Sequence, residues 1–140
     1  MESPAITEVK RLRELGAKIG EGTLVFGKVD ASAAHRDLIK IGNKCLIASE
    51  AVLLCHGYPH DWLPIEVGDN CYIGYRAMVL PGAIVGNNCV IGAGAVISKK
   101  IIIPDWSLVV GNPAKIKIVD RIKHKRFTDH MEQFVSLTAS

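Results

Sequence analysis

Aromatic residues are scarce in this chain of 140 residues, at 6% against 49% hydrophobic residues overall. Any core built from it is therefore aliphatic. No apolar run approaches the roughly 20 residues that a membrane-spanning helix needs. The opening stretch MESPAITEVKRLRELG carries charges throughout and lacks the apolar segment of a secretory signal. A soluble, cytoplasmic protein without a membrane span is the expectation. Strong charge of one sign is lacking too. Lys and Arg number 17 against 14 Asp and Glu, a net charge of +3, and no long basic block precedes the C-terminal end. Nucleic acid is not an expected partner. The four cysteines, Cys45, Cys55, Cys71 and Cys89, show no CxxC or other metal-ligand spacing, so no metal is expected.

What the chain does have is a beat of six. Val67, Ile73, Val79, Val85, Ile91, Ile97, Ile103 and Val109 follow one another at six-residue steps, and Ile41, Ile47 and Leu53 keep the same step upstream. The second position of the unit is often Gly (Gly42, Gly68, Gly74, Gly86, Gly92), and the fifth is small (Cys45, Ala51, Cys71, Ala77, Ala83, Cys89, Ala95, Ser107). A period of six fits neither an amphipathic helix nor a simple alternating strand. It fits a short strand and a turn, repeated. The aliphatic residue points into a narrow interior, the small residue sits at a tight corner, and Gly is expected to supply backbone freedom at the turn. Three units close one triangular coil, and stacked coils bury a continuous core. Residues 18 apart then lie one above another, as Cys71, Cys89 and Ser107 are spaced. The cysteines are expected as small buried corner residues.

The beat breaks once inside this run. Leu53 to Val67 is 14 residues, eight more than one step, so eight residues of LLCHGYPHDWLP are looped out, with His56 where the chain leaves the core. A loop on a rigid scaffold is the usual home of binding and catalytic groups. A second irregular segment, AHRDLIKIG (Ala34–Gly42), holds His35 and Arg36, which ordinary surface polarity also explains.

The segment VGDNCYIGYRAMVLPGAIVGNNCVIGAGAVI (Val67–Ile97), followed by VVGNPAK (Val109–Lys115), resembles the hexapeptide-repeat acyltransferases. Within them it is similar to the CoA-dependent sugar O-acetyltransferases, the galactoside, maltose and polysaccharide acetyltransferase group. The resemblance covers about residues 19 to 119. It implies an all-β fold, a left-handed parallel β-helix, with short helices at the N- and C-termini. The expected division is a helical cap over 1–18, the β-helix over 19–119 with its loop at about 55–66, and a C-terminal helix or tail over 120–140. Ile6, Val9 and Leu12 stand at helical steps in the first segment, with Ser3–Pro4 as its start.

The resemblance further implies a homotrimer with active sites between subunits, acetyl-CoA as cosubstrate, and a sugar or nucleotide-sugar acceptor acetylated on a hydroxyl. His56 takes the general-base position, and direct attack needs no acyl-enzyme at Cys55. Gly74, Tyr75, Ala93, Ser98, Lys99 and Lys115 are the expected cofactor-binding residues. Tyr58, His60, Asp61 and Trp62 are the expected acceptor contacts. Tyr75 departs from the family, which usually has a small residue there, and this puts the substrate in doubt more than the reaction class. Two rival readings remain. A γ-type carbonic anhydrase needs three zinc-binding histidines, and Tyr75 stands where one would be. A non-catalytic trimeric scaffold needs no histidine loop.

Overall fold

A computed structural model describes residues 2–57, 61–117 and 125. The chain winds as a left-handed parallel β-helix whose strands are two or three residues long. A helix, α1 (Pro4–Leu15), precedes it; Ser3 caps its N-terminus by accepting from the Ala5 N–H at 3.2 Å, and Gly16 closes it in the left-handed region at φ 117°. The first coil is β1 (Lys18–Ile19), β2 (Leu24–Val25) and β3 (Lys28–Val29), followed by a short helix, α2 (Ala31–Ala34). The second is β4 (Ile39–Ile41), β5 (Leu46–Ile47) and β6 (Val52–Leu53), followed by a two-stranded ribbon of β7 (His56–Gly57) and β8 (Asp61–Trp62). The third is β9 (Ile65–Val67), β10 (Tyr72–Ile73) and β11 (Met78–Val79), and the fourth is β12 (Ile84–Val85), β13 (Val90–Ile91) and β14 (Val96–Ile97). A partial fifth, β15 (Ile102–Ile103) and β16 (Leu108–Val110), ends in β17 (Lys115–Lys117), which turns back antiparallel on β16.

Three faces result. Face A stacks β1, β4, β9, β12 and β15; face B stacks β2, β5, β10, β13 and β16; face C stacks β3, β6, β11 and β14. The register carries out the six-residue beat: Val67 lies on Val85 and Val85 on Ile103, Ile73 on Ile91 and Ile91 on Val109, Val79 on Ile97. The beat also reaches further upstream than the sequence pattern suggests, since Ile19 pairs with Ile41, Val25 with Ile47 and Val29 with Leu53. These inward aliphatics are almost wholly buried and form one core. Val9 and Leu12 of α1 join that core, while Ala5 packs outside, with Leu24, Leu46 and Ala48.

The corners explain the rest of the repeat. At the turn from face A to face B, a side-chain carbonyl or carboxylate from each coil accepts a backbone N–H from the coil before it. Glu21 N–H donates to Asn43 Oδ1, Asn43 N–H to Asp69 Oδ1, Asp69 N–H to Asn87 Oδ1 and Asn87 N–H to Asp105 Oδ1, all at 2.7–2.8 Å. The second-position glycines of this corner, Gly42, Gly68 and Gly86, sit under these side chains. A Cβ on Gly68 would lie 2.8 Å from the Gly86 carbonyl carbon and 2.9 Å from the Asn87 nitrogen. Glycine is therefore needed there for close approach of coils, not for a left-handed turn as the sequence suggests. The left-handed residue is the fourth of the unit: Lys44, Asn70, Asn88 and Trp106 have φ between 55° and 64°.

The fifth position is the small corner expected. Thr23, Cys45, Cys71, Cys89 and Ser107 form a buried column, and each donates to a carbonyl: Cys45 Sγ to Gly68 O at 3.0 Å, Cys71 Sγ to Gly86 O at 3.0 Å, Cys89 Sγ to Pro104 O at 3.1 Å. Unpaired, these buried groups would cost free energy.

Truncating the aliphatic ladder leaves a cavity with no room to collapse. Ile91→Ala is expected to lower unfolding stability by about 2–5 kcal/mol without loss of activity-site geometry, and Gly68→Ala to destabilise the helix although it adds one methyl group. Denaturant unfolding of both variants checks this; wild-type stability in Gly68→Ala would contradict the close-approach account.

Candidate functional site

Both interruptions of the beat leave from the same edge, between face C and face A. Val29 to Ile41 spans 12 residues, one step plus six, and Leu53 to Val67 spans 14. Because β3 lies beneath β6, the two insertions stack. Asp30 opens the first and Cys55–His56 the second.

Asp30 ties them together. Its Oδ2 lies 2.5 Å from His56 Nδ1 and accepts the Cys55 N–H at 3.1 Å, while its Oδ1 accepts the Ala33 N–H at 3.3 Å and so caps α2. The aspartate side chain is 5% exposed and that of His56 is 45% exposed. The buried carboxylate thus holds Nδ1 as the protonated nitrogen and leaves Nε2 with a lone pair. An imidazole so oriented is able to take up a proton from a hydroxyl. Its ring stacks on Trp62 with centroids 4.5 Å apart, and the Arg36 guanidinium lies over the same tryptophan at 4.0 Å. Trp62 therefore supports the imidazole through the ribbon in which His56 pairs with Trp62.

Asp30 is the residue of the candidate site that sequence reasoning missed. Its signal is the 12-residue step after Val29, which stacks Asp30 under Leu54 once coil register is followed. Asp61, an expected acceptor contact, lies in β8 with its backbone paired to Gly57. Tyr58 and His60 lie outside the described residues.

Cys55, next to His56, is not a nucleophile in waiting. Burial, with the Asp30 charge adding to it, pushes its thiol from the ordinary 9.0 up to about 12. Its thiolate is disfavoured throughout the neutral range.

The expected cofactor-binding residues fall on two different edges. Gly74, Tyr75 and Ala93 lie at the turns from face B to face C, and Lys115, paired with Val110, lies at the upper end of face B. Ser98 and Lys99 follow β14 at the edge between faces C and A, which is the edge of His56. The Lys99 side chain reaches the ribbon, its Nζ 3.3 Å from where a Cβ on Gly57 would stand. Within one chain the width of face C separates the two sets.

Gly74 is buried, and a Cβ there would meet Ala93 N at 2.7 Å and Ile91 O at 2.8 Å, so coil stacking accounts for it. Ala93 and Gly94 are exposed, and a Cβ on Gly94 would meet nothing within 4 Å. Their backbone is the accessible stretch on this edge. Tyr75, 45% exposed, lies between them and Ser49: its carbonyl accepts the Gly94 N–H, and the Arg76 N–H donates to Ser49 O. Arg76 lies 5.2 Å over the Tyr75 ring and pairs with Glu50 at 2.6 Å.

A groove of about 530 Å³ runs along face A and is lined by Lys18, Lys40, Glu66 and Ile84 among others; His56 does not line it. Among the described residues no three His, Cys, Asp or Glu side chains converge as a metal site, and no helix is long and apolar enough to cross a membrane.

A family model described as bacterial transferase hexapeptide (six repeats) matches residues 64–99. A putative acetyltransferase of Schizosaccharomyces pombe is 34% identical over 73% of this chain and 53% of its own length. The galactoside O-acetyltransferase of Escherichia coli is 32% identical over 82% of this chain and 62% of its own length. The chain thus spans about half to three-fifths of these relatives. Among solved structures, a galactoside acetyltransferase in complex with coenzyme A superposes with a TM-score of 0.67 at 25% identity, covering 87% of this chain and 76% of that one. The chain carries the hexapeptide repeat of the bacterial transferases, and the proteins it is similar to include sugar O-acetyltransferases.

All four cysteines are buried. Thiol titration of the native protein at pH 8 is expected to be slow for every one and to become fast on unfolding. Between pH 9 and about 12 the unfolded Cys55 ionises and the folded one does not, so stability falls as pH rises through that window. Rapid labelling of Cys55 in the native state at pH 8 would contradict its buried, neutral state.

Proposed function

We propose that this protein transfers the acetyl group of acetyl-CoA to a hydroxyl of a sugar or sugar-containing acceptor, with His56 as general base. The observation that carries the reading is the Asp30–His56 pair, a half-exposed imidazole held by a buried carboxylate at the edge where both insertions leave the coils. The galactoside acetyltransferase that binds coenzyme A lends the donor.

Nε2 of His56 takes the acceptor's hydroxyl proton as its oxygen attacks the thioester carbonyl. The tetrahedral intermediate collapses, the C–S bond breaks, and the imidazolium returns the proton to the departing CoA sulfur. Acetyl ester and CoA thiol are the products. Asp30 is a positioning residue that fixes the tautomer and compensates the imidazolium. No covalent enzyme intermediate is formed, in keeping with the neutral Cys55 thiol.

The donor's pantetheine arm suits the exposed backbone at Ala93–Gly94, beside Tyr75 and above Gly74, and Lys115 supplies a cation for a phosphate. His56, Ser98 and Lys99 stand on the other edge of face C. One site built from both sets requires two chains, with the His56 edge of one meeting the Ala93 edge of its neighbour. A cyclic trimer satisfies this with three equivalent sites.

CoA release from acetyl-CoA with a panel of sugar acceptors tests the reading. His56→Ala is expected to lower kcat by about 10²-fold or more. Asp30→Ala is expected to lower kcat by at least about tenfold while KM for acetyl-CoA is unchanged. Unchanged turnover in His56→Ala, or no acetyl-CoA binding by the wild type, would overturn the proposal.

A further inference from the structure

Arg36 is singular among the cations near His56. It is exposed, it follows α2 in the first insertion, and its guanidinium lies over Trp62 with Cζ 4.0 Å from the ring centroid. The same tryptophan carries the His56 imidazole at 4.5 Å. The guanidinium and the imidazole are therefore two ring contacts apart on one aromatic support. A guanidinium laid on an aromatic ring keeps its N–H donors at its edge, free to form a two-point contact with a carboxylate or phosphate.

The described acids of the first insertion are already engaged. Asp30 serves His56, and Asp37 faces Lys18 at 3.4 Å. Arg36 has no carboxylate partner among the described side chains, and neither does Lys99, which brings a second positive charge to Gly57. Two cations without a described carboxylate partner thus stand near the proposed base.

We infer that the acceptor is an anionic sugar, with a carboxylate or phosphate about one sugar ring from the hydroxyl that is acetylated, and that Arg36 binds that group. This rests on the reading of His56 as the base, yet anion binding itself needs no turnover and is measurable separately. The planar fork matters as well as the charge, because an ammonium on a flexible stem neither lies flat on the indole nor pairs at two points.

The test is calorimetric titration of the full-length protein with matched ligands: neutral hexosides and N-acetylhexosaminides, the corresponding uronates, and the corresponding sugar phosphates. Wild type, Arg36→Gln and Arg36→Lys are compared, with circular dichroism to establish that each is folded. The wild type is expected to bind the uronates or the sugar phosphates at least about tenfold more tightly than the neutral sugars; which of the two series wins identifies the anion. Arg36→Gln is expected to abolish that preference and Arg36→Lys to keep part of it. Equal binding of neutral and anionic sugars, binding of none, or an undiminished preference in Arg36→Gln would overturn the inference. Arg36→Gln weakening acetyl-CoA alone would also overturn it, by assigning Arg36 to the donor. Selective anion binding without acetyl transfer to any bound ligand supports the anion site and counts against the transferase reading, so the two failures are distinguishable.

Discussion

The structure depends on close stacking of one coil on the next. Strands of two or three residues have almost no stability alone, and each coil finds its hydrogen-bond partners only in its neighbours. The close approach is enforced at the corner between faces A and B, where Asn43, Asp69, Asn87 and Asp105 each accept a backbone N–H from the coil below. Glycine beneath them, small residues in the column from Thr23 to Ser107, and left-handed fourth positions follow from that one constraint. So does the aliphatic core, which is too narrow for aromatic rings and explains their scarcity.

A scaffold this regular has no chemistry inside it. Reactive groups have to be hung outside, and both insertions use the same edge. Stacking them lets a buried aspartate from one coil reach a histidine from the next, something neither loop achieves alone. Asp30 is thereby part of the fold and of the candidate site together: it caps α2, receives the Cys55 amide and aligns the imidazole. Trp62 adds a second constraint by stacking on the ring. The proposed base is held from two sides, by Asp30 of the first insertion and by Trp62 of the ribbon.

Much of this was legible in the sequence. The beat from Val67 to Val109 fixes register, and each pair 18 residues apart does lie in contact. The buried cysteine column was also readable from small residues at one position. His56 was readable as the residue at which the beat stops. Asp30 was not, because the first coil shortens one turn and lengthens the next: Val25 to Val29 is four residues and Val29 to Ile41 is 12, which hides the six-step pattern. The glycines were found at the right places for a different reason, since close packing and not positive φ requires them. The division of the expected donor-binding residues between two edges is set by which strand belongs to which face, and spacing along the chain does not express it.

That division gives the account its central claim, that a working site needs two subunits. Mixed trimers test it most directly. His56→Ala removes the proposed base from one edge, and Ala93→Trp fills the accessible backbone of the other. Each homotrimer is expected to be inactive. After co-refolding equal amounts, about a quarter of the interfaces pair an intact His56 edge with an intact Ala93 edge, and about that fraction of wild-type CoA release is expected to return. No recovery in trimers proven to be mixed would contradict the account and place the whole site within a single chain.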